Sequence, residues 1–462
     1  MEEININKFL ELEYLKKLFH QKIKRSKSKG IDKVSVEKFD VDLDNHLNLI
    51  IDKFKSGSYN FSPYLELLKL KGRNKVPRVI SIPTIRDKLV LLVLKEILHE
   101  AFDSSVNRKL PNNYIKEIKH FLKKDKSEKF FLKLDLEKFY DTLNHDIIIS
   151  KLTGQNLPEN VVLLIKRAIT NITVPQNSHV SQYANYEANV GVPQGLSISN
   201  ILAQIYLLDF DKVISKRKYF YQRYVDDILL INSSEISQFR IKNFIKELES
   251  LSLAVNSSKT EQNSLNVTAF NFLSYSISDD KISVAQKNIE LFLRRIAAKI
   301  TWFKSCIKVK EKRPEHLKEN PERLKEVFIN ELNDMITGLI ANNKSYGWLF
   351  YFSEINDLDL LFKIDKIISS FFLNIDAFNN NAPQELKRLV RTYYAINSKK
   401  LNYISNYDKL DTVIKKREFL VYRGQISSTQ NYSNEDIERH FIRYQNKQIR
   451  RNEQGLGYTY IT

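Results

Sequence analysis

Phe220-Tyr-Gln-Arg-Tyr-Val-Asp-Asp-Ile-Leu-Leu-Ile231 decides how the chain is read. Aromatic and apolar residues run into two adjacent carboxylates, Asp226 and Asp227, and leucine and β-branched residues run out again. Such flanks suit two short antiparallel strands joined at a tight turn, with the acids at its tip. Two carboxylates placed there repel each other unless a cation lies between them. Taken alone, an Asp-Asp pair in a hairpin is a polar turn. Its meaning depends on what the rest of the chain supplies.

Upstream of the hairpin, Ile201 to Phe210 is apolar on most sides and belongs in a core. It is preceded by Gly191-Val-Pro-Gln-Gly-Leu-Ser-Ile-Ser-Asn200, where two glycines around a proline imply a constrained backbone and close approach. Taken simply, this is a loop with a helix start at Ser199. Further back, the strand-like run Phe130-Phe-Leu-Lys-Leu-Asp135 ends on an acid. The C-terminal end of a strand in an open sheet is a common place for a ligand site, although Asp135 alone also suits a helix N-cap. His145 reads as a hydrogen-bonding residue, since no other histidine sits at ligand spacing.

Residues 64 to 83 alternate as a hairpin that carries Lys69, Lys71 and Arg78, cations on a rigid support suited to a triphosphate. An apolar helix is expected from Ile85 to Phe102, with amphipathic helices over 36–55 and 115–130. Ahead of these, a basic run over 22–29 suits phosphate contact or a solvated loop. Downstream of the acid hairpin come a helix over 238–251, a turn with Lys259, and one strand over 270–277 that turns at 279–281 into 282–284. From Lys287 to about 375 the pattern is helical. Arg294 and Arg295 lie off the apolar stripe formed by Ile289, Leu293, Ile296 and Ile300. Trp348, Phe350, Tyr351 and Phe352 read as core, and an Asn-rich break with Pro383 precedes a basic helical end.

At 462 residues two to four subdomains are expected. A formal charge of +18 favours a polyanion such as nucleic acid or an anionic membrane surface. The single cysteine, Cys306, excludes an internal disulfide and a cysteine zinc cluster. The start Met1-Glu-Glu-Ile-Asn lacks a signal-peptide pattern, and no run approaches the roughly 18–20 apolar residues of a membrane span. A soluble, cytoplasmic chain with no membrane partner is expected.

In order, these pieces are a basic hairpin, a strand ending in Asp135, a Pro-Gln-Gly loop, the Tyr-Val-Asp-Asp hairpin, a lysine turn and basic helices. The set resembles the reverse transcriptases, from about Gly30 to Tyr351. The resemblance implies an α+β right-hand polymerase. Its fingers would span 1–125 and 148–187, and its palm, a small antiparallel sheet plus helices, 126–147 and 188–286. A helical thumb would span 287–377 and a basic helical C-terminal region 378–462.

The resemblance also implies residue roles. Asp135 and Asp226 match the acids that bridge two Mg²⁺ ions, and Asp227 the third, less directly bound acid. Leu136 belongs to the same metal set, and Mn²⁺ is an expected substitute. Two such ions roughly 3.5–4 Å apart activate a 3′-hydroxyl and stabilise the leaving oxygen. Tyr140 falls at the steric gate that favours dNTPs, and Gln194 lines the nucleotide pocket. Arg78 with Lys71 or Lys69 holds the triphosphate, and Lys259 stands near the pyrophosphate as a candidate general acid. Arg223 and Tyr224 support the primer end; Arg294 and Arg295 face primer and template.

Lys29-Gly-Ile-Asp-Lys33 and Ile82-Pro-Thr-Ile-Arg-Asp-Lys88 are similar to bacterial members, including the group II intron and retron enzymes. Several departures point within that group to the antiphage defence-associated cluster. Gln-Gly-Leu-Ser-Ile-Ser-Asn stands where Ser-Pro or Ser-Gln is usual. A Val-Thr-Gly signature and a Cys/His tail are missing. Ser274 also replaces a common glycine. Expected partners are an RNA template or noncoding RNA, a DNA product, dNTPs, and a partner polymerase or further copies of the chain. Alternatives on the same residues are template-independent or protein-primed DNA synthesis and an RNA-binding or splicing scaffold.

Overall fold

The computed structural model describes residues 4–24, 26, 28–70, 76–103, 105, 106, 108–124, 127–178 and 188–456. They form a mixed α+β chain of many helices and small sheets, as the sequence leads one to expect. Two compact units emerge: one built mainly of Met1–Arg108 with Lys129–Ser264, the other of Lys109–Glu128 with Leu265–Thr459.

The first unit carries strands β1 (Tyr64–Lys69), β2 (Arg78–Ile82), β3 (Phe130–Asp135), β4 (Thr173–Val174), β5 (Phe220–Tyr224), β6 (Asp227–Asn232) and β7 (Glu261–Ser264). One sheet runs β2-β1-β4 and the other β5-β6-β3-β7. In the larger sheet every pairing is antiparallel. Its central strand β6 is an unbroken apolar run, Ile228 to Ile231, buried at every position. A strand covered on both faces has no solvent side on which to place polar residues, which explains the absence of alternation. The acids lie just past the edge of that apolar run, so burial of the run fixes where they emerge.

Helices cover this sheet. Ser199–Tyr206 buries Ile201, Leu202, Ile205 and Tyr206, and Gln238–Glu249 buries Ile241, Phe244 and Leu248. Ile85–Ala101 is buried on most sides, and its start is locked by Asp87. That carboxylate accepts from Thr84 Oγ1 at 2.7 Å, Tyr59 hydroxyl at 2.7 Å and Ser62 N at 3.2 Å. Burial raises the Asp87 pKa in spite of these donors. The helix follows β2 directly, so this cap also steadies the hairpin that carries Arg78.

The second unit carries β8 (Phe270–Phe272), β9 (Tyr275–Ile277), β10 (Ile282–Val284), β11 (Leu339–Ala341), β12 (Lys344–Tyr346) and β13 (Ser405–Asn406) among its described residues. Its longest helices are Gln286–Lys308, Pro321–Thr337 and Asn434–Glu453. Trp348, Tyr351 and Phe352 are core residues, as expected.

Several elements differ from the sequence reading. The single strand over 270–277 is the hairpin β8–β9, turning at Leu273 and Ser274 with φ of 51° and 69°. Two consecutive positive φ values make the tight turn, and Ser274 occupies a conformation that favours glycine. The helical stretch after 287 is interrupted by the hairpin β11–β12, whose Asn342-Asn343 turn has the same geometry. The helix over 36–55 is two, Val36–Asp40 and Leu43–Lys55. That over 115–130 spans Pro111–Lys124, beginning at a proline suited to a first helical turn. None of the described helices is long and apolar enough to cross a membrane.

Candidate active site

β5 and β6 are joined by two residues, Val225 and Asp226, with Tyr224 opposite Asp227. β3 lies against the other edge of β6, with Asp135 opposite Asp227. Directly opposed residues of an antiparallel pair share a face, their Cβ atoms about 4.5–5.5 Å apart. The three acids therefore gather at one end of one sheet. Two backbone bonds seal this end: Leu136 N to Asp226 O at 3.1 Å and Asn256 N to Asp135 O at 2.8 Å. Asp135 does not cap a helix; the next helical stretch, Phe139–Thr142, begins after Lys138.

Val225 holds φ at 58°. A β-branched residue in that region is strained by about 1–3 kcal/mol and needs surroundings that enforce it. Arg223 provides them. Its guanidinium forks onto Asp211 (Nε to Oδ1 2.9 Å, Nη2 to Oδ2 2.5 Å) and donates Nη1 to the Val225 carbonyl at 2.9 Å. Tyr221 hydroxyl also donates to Asp211. Arg223, expected to support a primer, is thus nearly buried as the brace of the acid turn.

Burial, then the charges of Asp227 and Asp135, push the Asp226 carboxyl up to about 6, with Arg78 opposing. Asp227 is raised by burial and Asp135, against the pull of Lys133 and Lys259. Lys259 Nζ reaches Asp135 Oδ2 at 2.7 Å, and that bond raises the lysine pKa. Lys133 Nζ stands 3.6 Å from Asp227 Oδ1. Among the described residues no three His, Cys, Asp or Glu side chains converge to hold a metal as they stand. Two lysines satisfy the carboxylates instead. The donor set nevertheless fits Mg²⁺: two carboxylates and the backbone carbonyl of Leu136 are hard oxygen ligands. Binding would require Asp135 to exchange Lys259 for the ion.

The residues expected to face a nucleotide come from two elements pinned together. Lys69 and Arg78 are directly opposite on β1 and β2, so both project from one face of that hairpin. Lys71 lies outside the described residues. β2 also meets the Pro-Gln-Gly loop, with Ser81 N donating to Gln194 O at 2.7 Å. Gly195 has φ +105°, and a Cβ there would lie 2.8 Å from Ile80 Cγ2. Gly191, φ +92°, passes Asp141 O where a Cβ would sit at 3.1 Å. These approaches are the reason for both glycines.

The loop is tied to the acid-bearing segment as well. Val192 N donates to Tyr140 O at 2.7 Å, Gln194 Nε2 to Asp141 Oδ1 at 3.1 Å, and His145 Nε2 lies 2.7 Å from Gly191 O. Tyr140 is largely buried, its hydroxyl bonded to Asn200. Hydrogen bonds therefore link β2, the strand of Arg78, to the Gln194 loop, and that loop to the Tyr140 segment that follows Asp135 in sequence.

Sequence reasoning missed Lys133, Asp211, Asp141 and Asn200. Only Lys133 carried a signal, since it precedes Asp135 by two and so shares its face. Tyr224 sits at the hairpin end, opposite Asp227. Arg294 and Arg295 belong to the second unit. There Arg294 is exposed, 3.9 Å from Glu290, while Arg295 donates to Gln454 O at 2.6 Å and to Arg451 O, closing the last helix.

Residues 69–277 match the family model of reverse transcriptase (RNA-dependent DNA polymerase). An uncharacterised 91 kDa protein of a cob intron in Schizosaccharomyces pombe is 27% identical over 37% of this chain and 21% of its own. The group II intron-encoded protein LtrA of Lactococcus lactis is 23% identical over 43% of this chain and 34% of its own. The chain thus spans about a third or less of these relatives' lengths. Among solved structures, apo telomerase from Candida tropicalis aligns over 90% of this chain and 71% of that one. Its identity is 16% and its TM-score 0.39.

Proposed function

We propose, on the premise that residues 69–277 are a reverse transcriptase domain, that the chain is an RNA-directed DNA polymerase. The observation that carries this reading is the gathering of Asp135, Asp226 and Asp227 at one sheet end, with Arg78, Gln194 and Tyr140 on the adjoining network. In this reading 1–125 and 148–187 would serve as fingers, 126–147 and 188–286 as palm, 287–377 as thumb, and 378–462 as an added basic part, whereas the compact units divide instead after Arg108, Glu128 and Ser264.

Asp135, Asp226 and the Leu136 carbonyl would hold Mg²⁺, or Mn²⁺ in its place. When bound, the ions activate a 3′-hydroxyl and stabilise the oxygen that leaves with pyrophosphate. The chain's own residues do the rest. Lys69 and Arg78 bind the triphosphate from a rigid hairpin, and Gln194 lines the base side. Tyr140, held by Asn200, fixes an aromatic edge where a ribose 2′-hydroxyl would intrude. Lys259, 2.7 Å from Asp135, would be the general acid that protonates the departing phosphate oxygen. Asp227 stays with Lys133 and balances charge rather than ligating.

RNA is the expected template, consistent with the +18 charge. The departures in the Gln194–Asn200 loop favour a place in bacterial antiviral defence, with a noncoding RNA as partner and a cytoplasmic location. The test supplies the purified chain with dNTPs, Mg²⁺ and a defined RNA template, and sequences the product. Complementary DNA supports the reading, whereas DNA unrelated to any RNA present would replace it with template-independent synthesis. Tyr140→Ala should raise ribonucleotide incorporation at least about tenfold; unchanged sugar selectivity removes the gate.

A further inference from the structure

At the far end of β6 from Asp227, roughly 17 Å along the strand at about 3.3 Å per residue, lies a cavity of about 550 Å³. Arg217, Lys218 and Arg240 line it together with the single carboxylate of Glu247. Arg217 pairs with Glu247 at 2.5 Å and lies over the Phe244 ring at 5.1 Å. Arg240 donates to the Tyr219 hydroxyl at 2.9 Å, and neither it nor Lys218 forms an ion pair among the described residues. The hollow therefore holds two positive charges that the fold leaves uncompensated.

We propose that this cavity binds a nucleotide through its phosphate, either as a free molecule or as one unit of a strand. Three observations converge on that ligand. Two guanidiniums, already held by Glu247 and Tyr219, offer the forked donors that match phosphate oxygens, and Lys218 adds a point charge. Solvated surface lysines would need neither a concavity nor fixed arginines beside them. The volume lies within the range of small-ligand sites. Tyr219 and Asn243 also line the cavity, an aromatic ring on which a base could stack and an amide to which it could hydrogen-bond. The site is separate from the acids and stands whether or not the polymerase reading does.

The test is calorimetric titration of the full chain, without divalent metal, using AMP and a 5′-phosphorylated deoxythymidine dinucleotide as probes. Lys218→Gln alters a side chain that bonds nothing described in the fold, so its melting temperature should match the parent. It should weaken probe binding about threefold, and Lys218→Gln with Arg240→Gln at least about tenfold. Loss for both probes assigns a free-nucleotide site, and loss for the dinucleotide alone assigns a strand site. Equal affinities in parent and variants, or no binding of either probe to the parent, overturns the proposal. Primer extension by Lys218→Gln, measured at saturating dNTP, is expected to equal the parent and reports separately on the polymerase.

Discussion

Two kinds of buried carboxylate contrast, Glu331 and Asp334 of the second unit with Asp226 of the first. In the second unit Glu331 meets Lys299 at 2.5 Å, Arg451 at 3.1 Å, Tyr444 at 3.3 Å and Gln448 at 3.4 Å. Burial alone would raise its pKa, but Lys299 and Arg451 outweigh that and hold it at about 2. Asp334, fully buried, accepts from Ser405, Tyr407 and Arg423. These acids are saturated with donors. In the first unit Asp226 sits at about 6, pushed up by burial and by neighbouring acids, on a turn whose preceding residue is strained. A carboxylate whose needs are met inside the fold is scaffold. One left short, beside others of its kind, is available to something the fold does not contain.

The largest expected contrast comes from removing one acid of each type. Glu331→Ala strands Lys299 and Arg451 and should cost about 3–5 kcal/mol of stability, read as a fall in the denaturant midpoint. Asp226→Asn, measured without divalent metal, should instead stabilise by ~1–3 kcal/mol because it relieves burial and repulsion. Loss of stability in the second variant would erase the distinction.

The two acids also respond to pH in opposite directions. Glu331 has a folded pKa below its unfolded value, so its contribution is present above about 4.5 and is lost as pH falls toward about 2. Asp226 has a folded pKa above its unfolded value, so metal-free stability should decline as pH rises from about 4 through 6. Melting curves of the parent against Glu331→Gln and Asp226→Asn separate the two windows. The smallest effect is expected at the turn. Val225→Gly relieves strain of about 1–3 kcal/mol, against ~1 kcal/mol for added chain entropy. Stability should hold or rise slightly, whereas a clear loss would mean that Val225 is not strained.

Much of the acid site was legible because it follows local rules. The run from Phe220 to Ile231 had one plausible folding, two strands and a turn, and Asp135 closed a strand in the same manner. Gly191 and Gly195 announced a tight approach, although not to which partner. The rest was hidden for a physical reason. Arg223 on Asp211, Tyr140 on Asn200 and Gln194 on Asp141 are contacts made by the assembled fold, and no periodicity encodes them. The same holds for Arg295, whose helical position off the apolar stripe suited a phosphate as well as it suits the carbonyls of Arg451 and Gln454. The two further hairpins differ in how they are encoded. Asn342-Asn343 is a readable turn signal within a long helical pattern, while Leu273-Ser274 has no residue that prefers positive φ strongly.

If the acids at the end of β3 and β6 are a catalytic centre, losing one must abolish synthesis while losing a scaffold acid must not. Primer extension on an RNA template with dNTPs and Mg²⁺, comparing parent, Asp226→Asn and Glu331→Gln at a temperature where all three remain folded, tests it most directly. Asp226→Asn should lose about a thousandfold or more in rate, equivalent to ~4 kcal/mol of transition-state stabilisation, while folded Glu331→Gln stays within a few-fold of the parent. Incorporation by Asp226→Asn at the parent rate would contradict it.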